Sequence, residues 1–217
     1  MIPHTHPTSG WIEVVCGSMF SGKTEELLRR VKRVHYAKQQ VQVFKPVTDN
    51  RYDANDVVAH DGVKIEGIAL DQPHHMLYLL HQNTKVVGID EIHFFDENIV
   101  PVVQSLADRG IRVICAGLDQ NYQGRPFGPM PTLLSLAEYV TKLHAICEKC
   151  GAPGTRTQKT GGSEQEVEVG EKDMYQARCR ACHHSGIDQL ENARQAEFPL
   201  QILPFFQVNI VDKREEN

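Results

Sequence analysis

Gly17-Ser18-Met19-Phe20-Ser21-Gly22-Lys23-Thr24 fits the pattern G-x-x-x-x-G-K-[ST]. Glycines there let the backbone turn its N–H groups inward, toward phosphate oxygens. Lys23 would bridge the β- and γ-phosphates of a nucleotide, and the Thr24 hydroxyl would ligate Mg²⁺. Such a loop needs an acidic partner at the end of another strand. Val86-Val87-Gly88-Ile89-Asp90 supplies it, and Glu91 follows at once. Asp90 suits the Mg²⁺ shell. Glu91, facing elsewhere, could take a proton from an acceptor hydroxyl or from water. The pattern alone leaves kinase and ATPase open.

A second constellation lies further along. Cys147-x-x-Cys150 and Cys179-x-x-Cys182 are the paired knuckles that hold tetrahedral Zn²⁺ through four thiolates. Zinc ribbons usually place about 15–20 residues between the pairs. Here residues 151–178 intervene, 28 in all, so a metal would clamp the base of a long loop. Four thiolates close the coordination shell, which makes the site structural. His183 and His184 directly follow Cys182 and offer alternatives for the fourth ligand. Cys16 and Cys115 stand alone in apolar runs and read as inert buried thiols.

The elements that must position these groups alternate. Strands are expected at Trp11 to Cys16, Val41 to Pro46, Val86 to Asp90, Ile111 to Gly117 and Val140 to Ile146. Helices are expected from Gly22 or Lys23 to Ala37, ending near Leu77 to Leu80, from Ile99 to Ala107 and from Thr132 to Tyr139. Thr48 to Asp61 reads as a long polar loop. The fold class is therefore α/β: a P-loop parallel sheet with helices on both faces. From Cys147 the chain loses large apolar residues and needs a metal to fold. The expected organisation is a flexible tail (1–10), a nucleotide-binding body (11–146), a zinc domain (147–184) and a C-terminal tail (185–217) with an apolar cluster from Phe198 to Val211.

Composition narrows the classes. The 217 residues are 41% hydrophobic and 24% charged, with a formal net charge of −5. That is an ordinary soluble composition, with no basic excess for nucleic acid. Residues 147–184 carry six basic against six acidic side chains, and no interleaved aromatics for stacking single strands. No run approaches the roughly 18 apolar residues of a membrane span. The first ten residues lack the apolar core of a secretion signal. A cytoplasmic protein without nucleic-acid or membrane partners is expected.

Taken in order, the motifs resemble the zinc-containing (type II) cytosolic thymidine kinases. The phosphate loop looks like that family's variant. Lys45-Pro46 with Asp49-Asn50-Arg51-Tyr52 is similar to its loop after the second strand. Asp90-Glu91-Ile92-His93-Phe94-Phe95 resembles its D-E-x-Q-F-F signature. Gly117-Leu118-Asp119, Tyr122 and Arg125-Pro126-Phe127-Gly128 resemble its next block, and the two cysteine pairs with Tyr175 complete the order. The resemblance implies transfer of the γ-phosphate of ATP to the 5′-hydroxyl of thymidine. It implies Glu91 as general base, and Gly17 to Thr24 with Asp49, Arg51, Asp90 and His93 around ATP and Mg²⁺. Tyr122 would stack on the base beside Phe127. Glu166-Val167-Glu168-Val169-Gly170 and Tyr175 would form a lasso over the nucleoside. Structural Zn²⁺ on the four cysteines, a homotetramer and inhibition by thymidine triphosphate are implied as well. Two departures stand out. His93 replaces the family's usual Gln and is expected to donate a hydrogen bond in its stead and to add a pH dependence. The lasso is less apolar than is common, which leaves the preference between thymidine and deoxyuridine open.

Overall fold

The computed structural model describes residues 9–47, 56–58, 64–161 and 174–183, with residues 56–58 and 64 described by their backbone only. The chain runs β1 (Trp11–Gly17), α1 (Lys23–Tyr36), β2 (Gln40–Pro46), β3 (Asp56–Val58), β4 (Lys64–Glu66), β5 (Ile68–Leu70) and α2 (His75–Leu79). It continues with β6 (Thr84–Ile89), a 3₁₀ turn (Ile92–Phe94), α3 (Ile99–Asp108), β7 (Arg112–Gly117), α4 (Met130–Leu136) and β8 (Tyr139–Leu143). The last described elements are β9 (Ala145–Ile146), β10 (Pro153–Gly154), β11 (Arg156–Lys159) and β12 (Tyr175–Arg178).

Six strands form one sheet in the order β5-β2-β6-β7-β1-β8. Every pairing in it is parallel. Parallel strands end on the same edge, so the segments after β1, β2, β6 and β7 all open there. The register makes this concrete, because Cys16 lies beside both Gly117 and Lys142, and Ile89 lies beside Cys115.

Alternation along β1 separates two cores. Val15 packs with Leu27, Leu28, Val31 and Val34 of α1. Ile12, Val14 and Cys16 face the opposite side, with Met76, Ile99, Val103, Leu106 and Leu133 of the other helices. Glu13 interrupts the apolar run but is not stranded. It accepts from Arg112 Nε at 2.6 Å and from Arg30 Nη1 at 2.6 Å. Burial works against its charge, and the hydrogen bond from Arg112 helps to pull its carboxyl below the usual value. Arg30 thereby pins α1 to the sheet.

The expected α/β architecture is present, with local differences. The helix expected through Tyr139 is α4, which stops at Leu136, and Tyr139 opens β8. Ala137 already has extended backbone, and the aromatic and β-branched run Tyr139-Val140-Thr141 favours strand. The strand expected to reach Ile146 breaks at His144, because β9 pairs with β10 instead of joining the sheet. The loop expected from Thr48 to Asp61 contains β3, which pairs antiparallel with β4. Within the 28-residue spacer between the cysteine pairs, β11 and β12 form an antiparallel pair.

Candidate active site

β1 runs buried into Gly17, where the phosphate loop begins. A Cβ on Gly17 would lie 2.4 Å from Leu143 O, and its φ of +147° suits glycine. Lys23 folds back over the loop, and its Nζ donates to Ser18 O at 2.8 Å. Ser21 Oγ donates to the same carbonyl at 2.8 Å. The Thr24 hydroxyl donates to Asp90 Oδ2 at 3.1 Å. Hydroxyl and carboxylate thus converge from α1 and the end of β6, oxygen donors of the kind that could hold a Mg²⁺ ion.

Two contacts to this loop have no counterpart in the sequence reading. Ser18 Oγ donates to Gly154 O at 3.1 Å, and Met19 N donates to Thr157 Oγ1 at 3.0 Å. They join positions more than 130 residues apart, so no local pattern could signal them. The cysteine-rich segment therefore rests directly on the phosphate loop.

Asp90 and Glu91 diverge for a reason other than strand alternation. Glu91 adopts φ 48° and ψ 36°, the left-handed region. That conformation is uncommon for a residue with a Cβ, and such strain clusters at working sites. It ends β6 abruptly and starts the 3₁₀ turn. His93 follows, with its side chain fully buried. Its Nδ1 accepts from Leu118 N at 3.1 Å. The expected donor role thus becomes an acceptor role at this nitrogen. It fixes the tautomer that carries its proton on Nε2. Glu91 Oε2 lies 3.5 Å from the same Nδ1, so in this tautomer the ring offers Glu91 no proton there. Phe127 packs on His93 at 4.8 Å between ring centroids and on Phe94 at 6.1 Å. Phe94 lies inside the D-E-x-x-F-F stretch but was not singled out from sequence.

Gly128 lets this turn close. Its φ is +49°, and a Cβ would sit 2.5 Å from His93 O. Gly128→Ala is expected to cost about 1–3 kcal/mol in backbone strain alone. Thermal denaturation reads it at about 2–4 °C per kcal/mol for a chain of this size. An unchanged midpoint would mean that the turn is not held against this glycine.

The segment after β7 carries Asp119 and Tyr122. Asp119 is buried and bound by Lys142 Nζ at 2.6 Å, across the end of β1. Asn121 Oδ1 accepts from Gln123 N and Arg125 N, both at 3.0 Å, and shapes the turn. Tyr122 remains half-buried. Lys159 Nζ lies 5.4 Å from the Tyr122 ring centroid and 5.9 Å from that of Tyr175, cation–π distances that link the two aromatics. Asp49, Arg51 and Glu166 to Gly170 lie outside the described residues.

The four cysteines meet. Their sulfurs all lie within 4.8 Å of one another, with Cys150 and Cys179 at 3.7 Å. A tetrahedron with Zn–S of about 2.3 Å has edges of about 3.8 Å, so this spacing fits zinc. Burial opposes ionisation of Cys147, but backbone N–H groups of Cys179, Lys149 and Cys150 pull its thiol down to about 6. The hydrogen bond from the Cys182 backbone N–H lowers Cys179 too, whereas the side-chain hydrogen bond with Cys179 pushes Cys182 up to about 12; a lowered thiol favours the thiolate that a metal binds. Cys182 belongs to the quartet and His183 does not. The lone thiols behave as expected: burial pushes Cys16 up to about 11 and raises Cys115 further.

Comparison with known proteins agrees with this arrangement. The family model described as thymidine kinase matches residues 10–183. A thymidine kinase of Bdellovibrio bacteriovorus is 56% identical over 173 residues, which is 80% of this chain and 85% of that protein. The family match runs through the parallel sheet and the thiol quartet alike, and the relative is a thymidine kinase: the chain belongs to the thymidine kinase family, and it is a kinase.

Proposed function

We propose that this kinase transfers the γ-phosphate of ATP to the 5′-hydroxyl of thymidine, giving thymidine 5′-monophosphate and ADP in nucleotide salvage. Deoxyuridine is a second acceptor under this reading. The observation that carries it is the pairing of Thr24 with Asp90 at 3.1 Å, with Glu91 turned out of line beside them. One chain segment thereby ends the nucleotide site and begins the acceptor site.

Residues Gly17 to Gly22 wrap the phosphates with backbone N–H groups, at the positive end of α1. Lys23 leaves Ser18 O and bridges the β- and γ-phosphates. Thr24 and Asp90 would hold Mg²⁺, and Asp49, Arg51 and His93 would complete the nucleotide side. Mg²⁺, when bound with ATP, screens the phosphate charge. The Glu91 carboxylate takes the 5′-hydroxyl proton as that oxygen forms its bond to the γ-phosphorus. The bond from the γ-phosphorus to the bridging β-phosphate oxygen breaks, and ADP leaves. Tyr122 stacks on the base beside Phe127. Glu166, Val167, Glu168, Val169 and Gly170, with Tyr175, close over it. Cys147, Cys150, Cys179 and Cys182 would hold Zn²⁺, which would keep the ends of that segment together.

The remaining features of this reading follow the family resemblance. They are a nucleotide-binding body from 11 to 146, a zinc domain from 147 to 184 between flanking tails, a homotetramer, feedback inhibition by thymidine triphosphate and a cytoplasmic location. Among the described residues no helix is long and apolar enough to cross a membrane.

Two measurements test the proposal. ADP release from ATP-Mg²⁺ is expected to depend on thymidine; release at the same rate without any nucleoside would favour an ATPase. Lys23→Ala removes charge-assisted contacts to phosphate, and ATP affinity is expected to fall on the order of tenfold to a hundredfold. Unaltered affinity in calorimetry would remove Lys23 from the phosphate site.

A further inference from the structure

His183 immediately follows the cysteine quartet, yet it is not part of it. The residue is 2% exposed. Its Nε2 lies 2.9 Å from Tyr122 O. The carbonyl can only accept, so Nε2 carries the proton and donates. The ring also faces Gly124, where a Cβ would lie 3.6 Å from His183 Cε1. At its other end His183 is fixed by the knuckle, because its backbone N donates to Cys179 O at 3.0 Å. Arg156 of β11 approaches the same turn, with its Nη1 3.7 Å from the Gly124 Cβ position. Lys159 of β11 lies over the Tyr122 ring. The Tyr122 turn is therefore gripped from the cysteine-rich side at its carbonyl, its ring and its glycine.

We propose that His183 is a positioning residue for nucleoside binding: its Nε2–H holds the Tyr122 carbonyl and so fixes the ring on which the base stacks. This rests on the reading of Tyr122 as the base platform. It adds that the thiol knuckle acts on the body side of the nucleoside pocket as well as on the segment that closes over it. The contact reaches across 61 residues. It sets the distance between the Tyr122 turn and the knuckle, while Asn121 sets the turn's internal shape.

Two variants separate the hydrogen bond from the packing. His183→Phe keeps a ring and removes the donor. His183→Gln keeps a donor where Nε2 stands. Thymidine affinity is read by calorimetry, KM and kcat by assay, and zinc by metal analysis. His183→Phe is expected to weaken thymidine binding and raise its KM roughly two- to tenfold, the loss of one net hydrogen bond. ATP KM and zinc content are expected to stay as in the parent, and His183→Gln to restore thymidine affinity. Parent-like thymidine affinity in His183→Phe with zinc retained would overturn the proposal. Loss of zinc in His183→Phe would also overturn it, by making His183 part of the metal site. Tyr122→Ala is measured alongside. If it leaves thymidine affinity unchanged, the platform reading falls and takes this proposal with it. If it weakens binding while His183→Phe does not, only the role of His183 falls.

Discussion

Glu91→Gln is expected to lower turnover by a factor of about 10²–10⁴ while ATP affinity stays close to that of the parent. The substitution keeps size and shape and removes the basic oxygen. Glu91 lies in the left-handed region, and its neighbour Asp90 carries the contact to Thr24. The phosphate half should therefore not register the change. His93 sharpens the argument: its Nδ1 accepts from Leu118 N, so in that tautomer it directs no proton at Glu91. A carboxylate that this ring does not protonate keeps a basic oxygen for the substrate hydroxyl. Single-turnover phosphoryl transfer separates this from binding. Parent-like turnover would remove Glu91 as the base.

Cys150→Ser is expected to abolish stoichiometric zinc and to weaken thymidine binding by more than an order of magnitude, and ATP binding by less. Losing one of four thiolates forfeits much of the folding free energy that a structural zinc supplies, which reaches about 10–16 kcal/mol in small zinc peptides. Thymidine affinity should suffer first, since Lys159 and His183 contact Tyr122 from that side and Lys159 Nζ also lies over the Tyr175 ring. ATP binding is not insulated, because Gly154 and Thr157 accept hydrogen bonds from Ser18 and Met19 of the phosphate loop. The order of the two losses is the discriminating result. Equal loss, or zinc retained at one per chain, would contradict the clamp.

Much of this site was legible because its signals are local. The phosphate loop, the apolar strand ending in Asp90 and the two cysteine knuckles each occupy a few consecutive residues. Each has a composition that few other structures require. The parallel sheet followed from strands alternating with helices. What stayed hidden depends on distance or on backbone. The left-handed Glu91 has no sequence mark, since nothing distinguishes it from a strand-end glutamate. His93 was expected to donate like an amide, and only the position of Leu118 N shows that its Nδ1 accepts. The break at His144 was hidden because β8 and β9 are both apolar enough to read as one strand. His183 was weighed as a metal ligand because it adjoins Cys182. Its partner Tyr122 lies in another part of the chain, where no periodicity points to it.

The central claim is that ATP and thymidine meet across the Asp90–Glu91 turn. The most direct test is product analysis after incubating the protein with ATP-Mg²⁺ and thymidine, deoxyuridine or deoxycytidine. The account predicts thymidine 5′-monophosphate in step with ADP, and little product from deoxycytidine. ADP formed without any nucleoside monophosphate would contradict it.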